Sequence, residues 1–448
     1  MASKRIPNDR LRALLAEAEW TSASFARAVN RAGREIGLAL SYDRTSVAHW
    51  LAGSRPRRPV PQLVAEVLSR RLGRTITAVV AGFPHDGGER AGQAAPHSRA
   101  GAIANLAELT STDADAVHSR PLQQSPYLAA PKAVPRWREV SRMAGAGTRP
   151  AGPRAGQTEV ATLKAAVQTF AKGLDRHGGG HARSALSAFL ADDVVPWLNR
   201  PANAQVHQQL LTEAARLAFV RARLYSDSGF HGAAQLFYAA ALRLANEAGD
   251  RSTWAVILRG MSSQSLALKH LRAALSHAEN AYAALPAKTS PASRSFVAAQ
   301  LAVARAVAGR RRDALSALEE AGRSWEENGS AAGPFGAYPR AALEFQRAQT
   351  LRGLGDVRGA IEALSVSSEH RRPDDRRGHA LTHAARTKLL LRSGHVEEAC
   401  GSWRAFLETG SGLQSTSTDR AGAALRREFL PYRSYATVGA LLAKQRRN

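Results

Sequence analysis

Five alanines spaced about forty residues apart constrain the fold of this chain more than any other feature of its sequence. Each begins an apolar segment with the periodicity of a helix, and the intervals between them are 40, 40, 46 and 39 residues. The five are Ala234, Ala274, Ala314, Ala360 and Ala399. A repeat of this length is typical of helical hairpins that stack side by side, because a single hairpin cannot bury its own apolar face.

Two further positions recur with the same period. Twelve residues before each alanine stands a small side chain, and these are Ala222, Ser262, Ala302, Ala348 and Thr387. Five residues before each alanine stands a second set, which is Gly229, Lys269, Gly309, Gly355 and Gly394. The spacing predicts a helix, a glycine-bearing turn and an antiparallel helix, with the small residues letting the two backbones approach closely.

The rest of the chain divides around this repeat. Residues 1–82 predict a compact domain of four or five short helices, and residues 83–156, rich in Gly, Pro, Ser and Ala, predict a flexible linker. Within the linker, AIANLAELTS predicts one helix and SPYLAAPKAVPRW predicts a segment that docks on a neighbouring domain. Residues 157–448 predict a helical repeat domain, an α-solenoid, so that the expected fold class is all-α.

The stretch SYDRTSVAHWLAGSRPRRP, residues 41–59, predicts a helix with two different faces. Val47, Trp50 and Leu51 share the spacing of a buried stripe, so we expect Trp50 to be a core residue. The opposite face is small and hydrogen-bonding, as a helix in the major groove of DNA requires, with base contacts expected from Thr45, Ser46 and His49. Contacts to the flanking phosphates are expected from Arg44, Arg55, Arg57 and Arg58.

The charge of the chain favours a polyanionic partner. The sequence has 62 Lys and Arg against 37 Asp and Glu, a formal net charge of +25. Residues 1–82 hold 14 of the basic residues and 6 of the acidic ones, which gives this segment about twice the charge density of the remainder. Only eight of the basic residues are Lys, and this choice of Arg over Lys also indicates a GC-rich coding genome.

The order of the N-terminal elements resembles the helix-turn-helix of the Xre family of bacterial repressors. The motifs that carry the resemblance are F-A at Phe25, T-S-V-A-H-W-L-A-G from Thr45, and L-V-A-E-V-L-S-R-R-L-G from Leu63. The chain departs from the family near Ser24, where Gln is usual, and in a longer connection before Asp43. The resemblance implies a helix-turn-helix domain that binds double-stranded DNA, with a homodimer expected on two half-sites.

The repeats resemble tetratricopeptide repeats over residues 214–413. The clearest copies are DSGFHGAAQLFYAAALRLA and GLGDVRGAIEAL, and the spacing exceeds the family's usual 34 residues. The resemblance implies a concave groove that binds a peptide or protein and is lined by the first helix of each repeat. The family's inward positions correspond to Arg216, Arg223, Arg259, Gln349 and Lys388. Four cations there would suit a C-terminal carboxylate or an acidic ligand, and would equally fit an exposed surface.

Several classes of function are not expected. One cysteine, Cys400, excludes an intrachain disulfide and a multi-cysteine zinc site. His177 and His181 stand four apart, but the three glycines between them break a helix and no carboxylate cluster completes a metal shell. No Ser, His and Asp arrangement stands out, so we expect no catalytic residues, no cofactor and no enzyme. No apolar run approaches the roughly 18 residues of a membrane span, and we expect a cytoplasmic, nucleoid-associated protein.

The combination of the two resemblances points to a function. It resembles the regulators of Gram-positive bacteria that sense signalling peptides, and more closely a class of actinobacterial regulators of development and secondary metabolism. This implies a DNA-binding transcriptional regulator whose repeat domain senses a peptide, a small molecule or a protein. The alternative is a tetratricopeptide adaptor whose N-terminal helices dock a protein, and the longer connection before Asp43 favours it. General nucleic-acid binding through diffuse Arg charge is a third reading.

Overall fold

The computed structural model describes residues 6–83, 101–115, 119–128, 137, 153–328, 332–333 and 336–444. Within these ranges the regular structure is helical apart from two antiparallel strands of two residues each, β1 (Ala332–Gly333) and β2 (Gly336–Ala337). The predicted all-α class is therefore confirmed for the described part of the chain.

The N-terminal domain is built from four short helices. They are α1 (Asp9–Glu17), α2 (Ser22–Glu35), α3 (Arg44–Leu51) and α4 (Val60–Leu72). The first three begin at a side chain that accepts a hydrogen bond from an amide of the first turn, and these caps are Asn8, Thr21 and Asp43. Their apolar faces enclose one core around Phe25, Val47 and Leu63.

Two helices of the linker follow the N-terminal domain, α5 (Ala102–Ala114) and α6 (Ser119–Gln123). The repeat body then begins with α7 (Gln157–His177), α8 (Arg183–Phe189), a π-helical turn (Leu190–Val194) and α9 (Val195–Asn199). Five helical hairpins follow: α10 (Ala204–Asp227) with α11 (His231–Glu247), α12 (Arg251–Ala267) with α13 (Leu271–Ala284), α14 (Pro291–Val307) with α15 (Arg311–Asn328), α16 (Arg340–Gly353) with α17 (Val357–Glu369), and α18 (Arg376–Arg392) with α19 (Val396–Gly410). The described chain ends with α20 (Thr416–Phe429), a 3-10 turn (Leu430–Tyr432) and α21 (Ala436–Lys444).

The recurring positions have the structural roles that their spacing predicts. All five repeat alanines lie in the first turn of the second helix of a hairpin and are fully buried. The four glycines have φ of +86, +78, +85 and +81° in chain order, which is the left-handed region. Lys269 has a φ of +66° at the same place in the second hairpin, although a Cβ makes that conformation unfavourable. The helix, turn and helix prediction is confirmed.

The small residues lie where the two helices of each hairpin touch. None of the five is more than 1% exposed. In the second hairpin the Ser262 hydroxyl donates a 2.8 Å hydrogen bond to the carbonyl of Ala274, the repeat alanine on the opposite helix. A larger side chain at these positions would separate the helices, which is why the period of the small residues matches that of the alanines.

The two ends of the hairpin series meet. Asp227, at the end of α10, accepts hydrogen bonds from Arg377 Nε at 2.6 Å and from Ser415 Oγ at 3.0 Å, which belong to the fifth hairpin and the loop after it. The Thr416 hydroxyl donates to the Ser228 carbonyl at 2.9 Å. In addition, α7 packs against both α10 and α18. The first and fifth hairpins are therefore joined, and the series closes on itself.

The two linker helices, α5 and α6, pack on the repeat body. Asp113 of α5 is buried and accepts two 2.7 Å hydrogen bonds from the Arg221 guanidinium and one of 2.8 Å from Ser187 Oγ. Farther along, the Trp137 ring meets Trp254 edge to face at 5.5 Å. The sequence AIANLAELTS thus forms the expected helix. The second predicted island contacts the repeats through Tyr127, Leu128 and Trp137, while its residues 129–136 lie outside the described ranges.

Candidate nucleic-acid interface and ligand site

The two faces of α3 differ as the sequence predicts. Val47 is fully buried and Trp50 is 4% exposed, with its ring edge-on to Phe25 at 6.2 Å and to Tyr42 at 4.8 Å. On the opposite face, Thr45 and His49 are exposed, as are all four flanking arginines, Arg44, Arg55, Arg57 and Arg58. Six of the seven residues expected to contact DNA are therefore exposed, in α3 or within seven residues after it.

Ser46, the seventh, is half-buried and already has a partner. Its backbone amide and its hydroxyl both donate to Asp43 Oδ1, at 2.8 and 2.9 Å, and the Asp43 amide lies 3.4 Å from the Ser46 hydroxyl. The backbone hydrogen bond from Ser46 is the main reason that the pKa of Asp43 lies below its usual value. Ser46 thus completes the capping box that Asp43 begins at the start of α3, and this role was not expected from the sequence.

The long connection between α2 and α3 is anchored by one asparagine. Asn30 Nδ2 donates to the Tyr42 carbonyl at 2.7 Å, and the Tyr42 amide donates to Asn30 Oδ1 at 2.9 Å. Leu40 packs against Gly33, where a Cβ would lie only 2.4 Å from it. Although longer than in the family that it resembles, the connection presents Tyr42 to Trp50 in a defined position. The asparagine carried no sequence signal that distinguished it from a solvent-facing polar residue.

The N-terminal domain is attached to the repeat body through α4. Glu66 is 3% exposed, and its Oε1 accepts from Arg70 Nε at 2.8 Å and lies 2.8 Å from His270 Nε2, at the start of α13. The Tyr127 ring stacks on His270 at 5.2 Å, and its hydroxyl pairs with Ser265 at 3.1 Å. This contact joins the two domains and the linker while leaving Thr45 and His49 exposed.

The residues expected in the repeat groove have separate partners. Arg216 Nη1 donates to Glu213 at 2.9 Å, Arg223 pairs with Asp175 at 3.7 Å, and Lys388 pairs with Glu428 at 3.2 Å. Gln349 is half-buried. Arg259 has no carboxylate partner within the described ranges, and only Ser263 Oγ accepts from it there, at 3.3 Å. The structure brings Arg223 and Arg259 to one region and gives no contact that joins Arg216 or Lys388 to it.

That region brings together residues of the first, second and fifth hairpins. Arg223, Arg259 and Arg377 all act on the Tyr238 hydroxyl, whose pKa burial raises to about 12 and whose anion the three guanidiniums would favour. Sequence reasoning did not select Tyr238 or Arg377, because residues on different hairpins become neighbours only when the series closes. A tyrosine among helical apolar residues is also usually a core residue.

Other kinds of site receive no support from the described residues. The rings of His177 and His181 lie 4.3 Å apart, but no group of three or more His, Cys, Asp or Glu that could hold a metal ion occurs in the described ranges. In the same part of the chain, no helix combines the length and the apolar character that crossing a bilayer requires.

Comparison with known proteins finds a similar family for one segment of the chain. No curated protein matches the chain. Residues 11–84, which contain α2, α3 and α4 and most of α1, match a family described as the SP15 N-terminal domain. The chain is therefore similar to this family over its N-terminal domain, the part that carries the exposed face of α3.

Proposed function

We propose that this protein is a DNA-binding transcriptional regulator. Its α3 reads bases in the major groove, its repeat body receives a ligand, and the contact between α4 and α13 links the two. The observation that carries the proposal is the two-faced character of α3, with Val47 and Trp50 buried, Thr45 and His49 exposed, and four exposed arginines beside them.

The resemblances support the same proposal. The N-terminal order of helices is similar to Xre repressors, and the hairpins are similar to tetratricopeptide repeats, although five of these form a closed series here. In this proposal Thr45 and His49 contact bases, while Arg44, Arg55, Arg57 and Arg58 contact phosphates. Ser46 acts mainly through its cap on α3. Because one short helix offers few contacts, the protein binds as a homodimer on two half-sites in the cytoplasm, at the nucleoid.

Genomic footprinting of the tagged full-length protein tests the proposal. The comparison variant is Thr45→Ala with His49→Ala, because both side chains are exposed and their loss should change stability by less than about 0.5 kcal/mol. Ser46 is left intact, since removing a cap would destabilise α3 by about 1 kcal/mol. Discrete peaks that disappear in the double variant are expected, and peaks identical in both proteins would refute base reading by α3.

Salt dependence gives a second measurement on an operator found in this way. If about six phosphates are contacted, affinity should fall roughly a thousandfold between 50 and 200 mM salt. Arg57→Gln should weaken binding to all sequences alike and reduce the salt slope by about one. Arg358→Gln is the matched control, since Arg358 is exposed on α17 and belongs to the repeat body. Affinity that does not change with salt would contradict the proposal.

The adaptor function remains a second candidate because the N-terminal domain already makes one protein contact. Its α4 packs on the repeats through Glu66 and His270, and this contact within the chain supports a docking role for the helical domain. An adaptor would give no discrete footprints, and purification of the tagged protein would recover a stoichiometric protein partner instead. The unchanged binding of that partner to the Thr45 and His49 variant would separate the two functions.

A further inference from the structure

We propose that the region around Arg259, Tyr338 and Phe296 binds a small carboxylic acid with an aromatic or apolar body, and that the Arg259 guanidinium holds its carboxylate. The inference rests on the proposed function in one respect, since it specifies the ligand of the sensing body. It concerns binding alone and does not depend on whether α3 reads DNA.

Arg259 is a cation without a counter-ion among the residues that the structure describes. Its Nε is buried and has no acceptor within the described ranges, and its Nη1 has only the 3.3 Å contact with the Ser263 hydroxyl. Burial, with a smaller contribution from Arg223, lowers the pKa of Arg259 to about 10, although the phenols of Tyr338 and Tyr238 oppose the shift. An unpaired buried charge is costly, so a site of this kind is suited to an anion that arrives from solution.

A second polar group in the same cluster also has no partner. Tyr338 is only 6% exposed, and its buried hydroxyl makes no hydrogen bond with the described residues. Its ring lies edge-on to Phe296 at 5.2 Å, and the Arg259 guanidinium lies over the same Phe296 ring at 4.0 Å. A donor hydroxyl and an unpaired guanidinium therefore share one aromatic neighbour, and a carboxylate oxygen between them would satisfy both.

The neighbouring arginines explain why Arg259 is the anion-binding group. Arg223 pairs with Asp175 at 3.7 Å and Arg377 with Asp227 at 2.6 Å, so each has a counter-ion in the protein. Both side chains nevertheless remain partly exposed, at 32% and 21%, and Arg259 is half-buried. Of these three guanidiniums, Arg259 is thus the one with no carboxylate partner in the described part of the chain, and its exposed fraction lets a ligand reach it.

The residues around Arg259 select the ligand class. One unpaired guanidinium with one hydroxyl matches the single charge and two oxygens of a carboxylate, whereas a phosphate dianion would draw on more than one unpaired cation. The neighbouring rings of Phe296, Tyr238 and Tyr338 favour an aromatic or apolar body. The joined ends of the series, through Asp227 and Arg377, favour a small molecule over a folded partner.

The test uses the full-length protein and a panel of probes: benzoate, phenylacetate, acetate and inorganic phosphate. Isothermal titration calorimetry should detect benzoate or phenylacetate, with acetate weaker and phosphate weaker still. Arg259→Met should weaken binding about 10- to 100-fold, and Tyr338→Phe about 3- to 10-fold, because a charged and a neutral hydrogen bond are lost. Arg358→Gln, the exposed control, should bind as the unmodified protein does.

Thermal unfolding without ligand distinguishes a binding residue from a structural one. Arg259→Met removes an unpaired charge and should leave Tm unchanged or raise it, while abolishing the increase in Tm that benzoate causes. A lower Tm with unchanged benzoate affinity would overturn the proposal, as would a preference for phosphate or no binding of either aromatic acid. Benzoate binding by a protein without genomic footprints would refute the regulator function and leave this inference intact.

Discussion

The contact between Glu66 and His270 should hold the N-terminal domain to the repeat body, and a double-mutant cycle measures its strength. Glu66 Oε1 lies 2.8 Å from His270 Nε2, with both residues at least 93% buried. A hydrogen bond to a carboxylate is worth about 1.5–3 kcal/mol. We therefore expect Glu66→Ala, His270→Ala and the double variant to give a coupling free energy of about 1.5–3 kcal/mol.

Urea unfolding of the four proteins provides the free energies, and hydrogen exchange of residues 60–72 shows whether α4 loses protection. Glu17 supplies the control, because it is an exposed acid of the same domain whose described partner is Arg74. The effects of Glu17→Ala and His270→Ala should add within about 0.5 kcal/mol. A coupling below about 0.5 kcal/mol between Glu66 and His270 would refute this contact as the link between the domains.

Three further predictions concern the stability of the fold. Gly355→Ala should destabilise the protein by about 1 kcal/mol, because the φ of Gly355 is +85° and a Cβ there would meet no neighbour. Lys269→Gly should stabilise the protein by a smaller amount. Urea midpoints measure both changes. Burial lowers the pKa of His231 to about 3 and of His277 to about 4. Both rings are therefore neutral in the folded protein, and the stability that this contributes is present above pH 6.5 and is lost as the pH falls. Between pH 6 and 4 the free energy of unfolding should drop by about 2–3 kcal/mol per pH unit. The slope should be smaller when both histidines are replaced by Gln, and an equal slope would contradict the prediction. Trp50→Ala should lower the free energy of unfolding, measured in urea, by roughly 3–5 kcal/mol. The variant should therefore lose DNA binding because it unfolds, and a variant as stable as the unmodified protein would show that Trp50 is not a core residue.

The periodic part of the fold could be predicted from the sequence because its signals are local. A turn at Gly355 or Gly394 needs only a left-handed backbone, and a repeat alanine needs only a neighbour one helix away. Even Lys269 was assigned to the correct turn, since its place in the period was informative when its residue type was not. The burial of Val47 and Trp50 followed in the same way from helical spacing.

The contacts between distant parts could not be predicted, because they join residues far apart in the chain. Glu66 and His270 are separated by 204 residues, and Asp227 and Arg377 by 150. Glu66 lies in an apolar run that indicates a core helix, and nothing in that run identifies which surface the acid meets. The same limit applies to the proposed anion site. The resemblance selected Arg259, whereas Tyr338 and Tyr238 become its neighbours only through tertiary packing.

The joining of Asp227 to Arg377 changes what the chain can tolerate during evolution. An open stack of hairpins can gain or lose a unit at one end, because each hairpin depends only on its neighbours. A stack whose last unit bonds to its first has a fixed number of units, since deletion of one would require the remaining four to curve more sharply. Variation in length should therefore accumulate in the turns between helices, as in the 46-residue interval that contains β1 and β2, rather than in the number of hairpins.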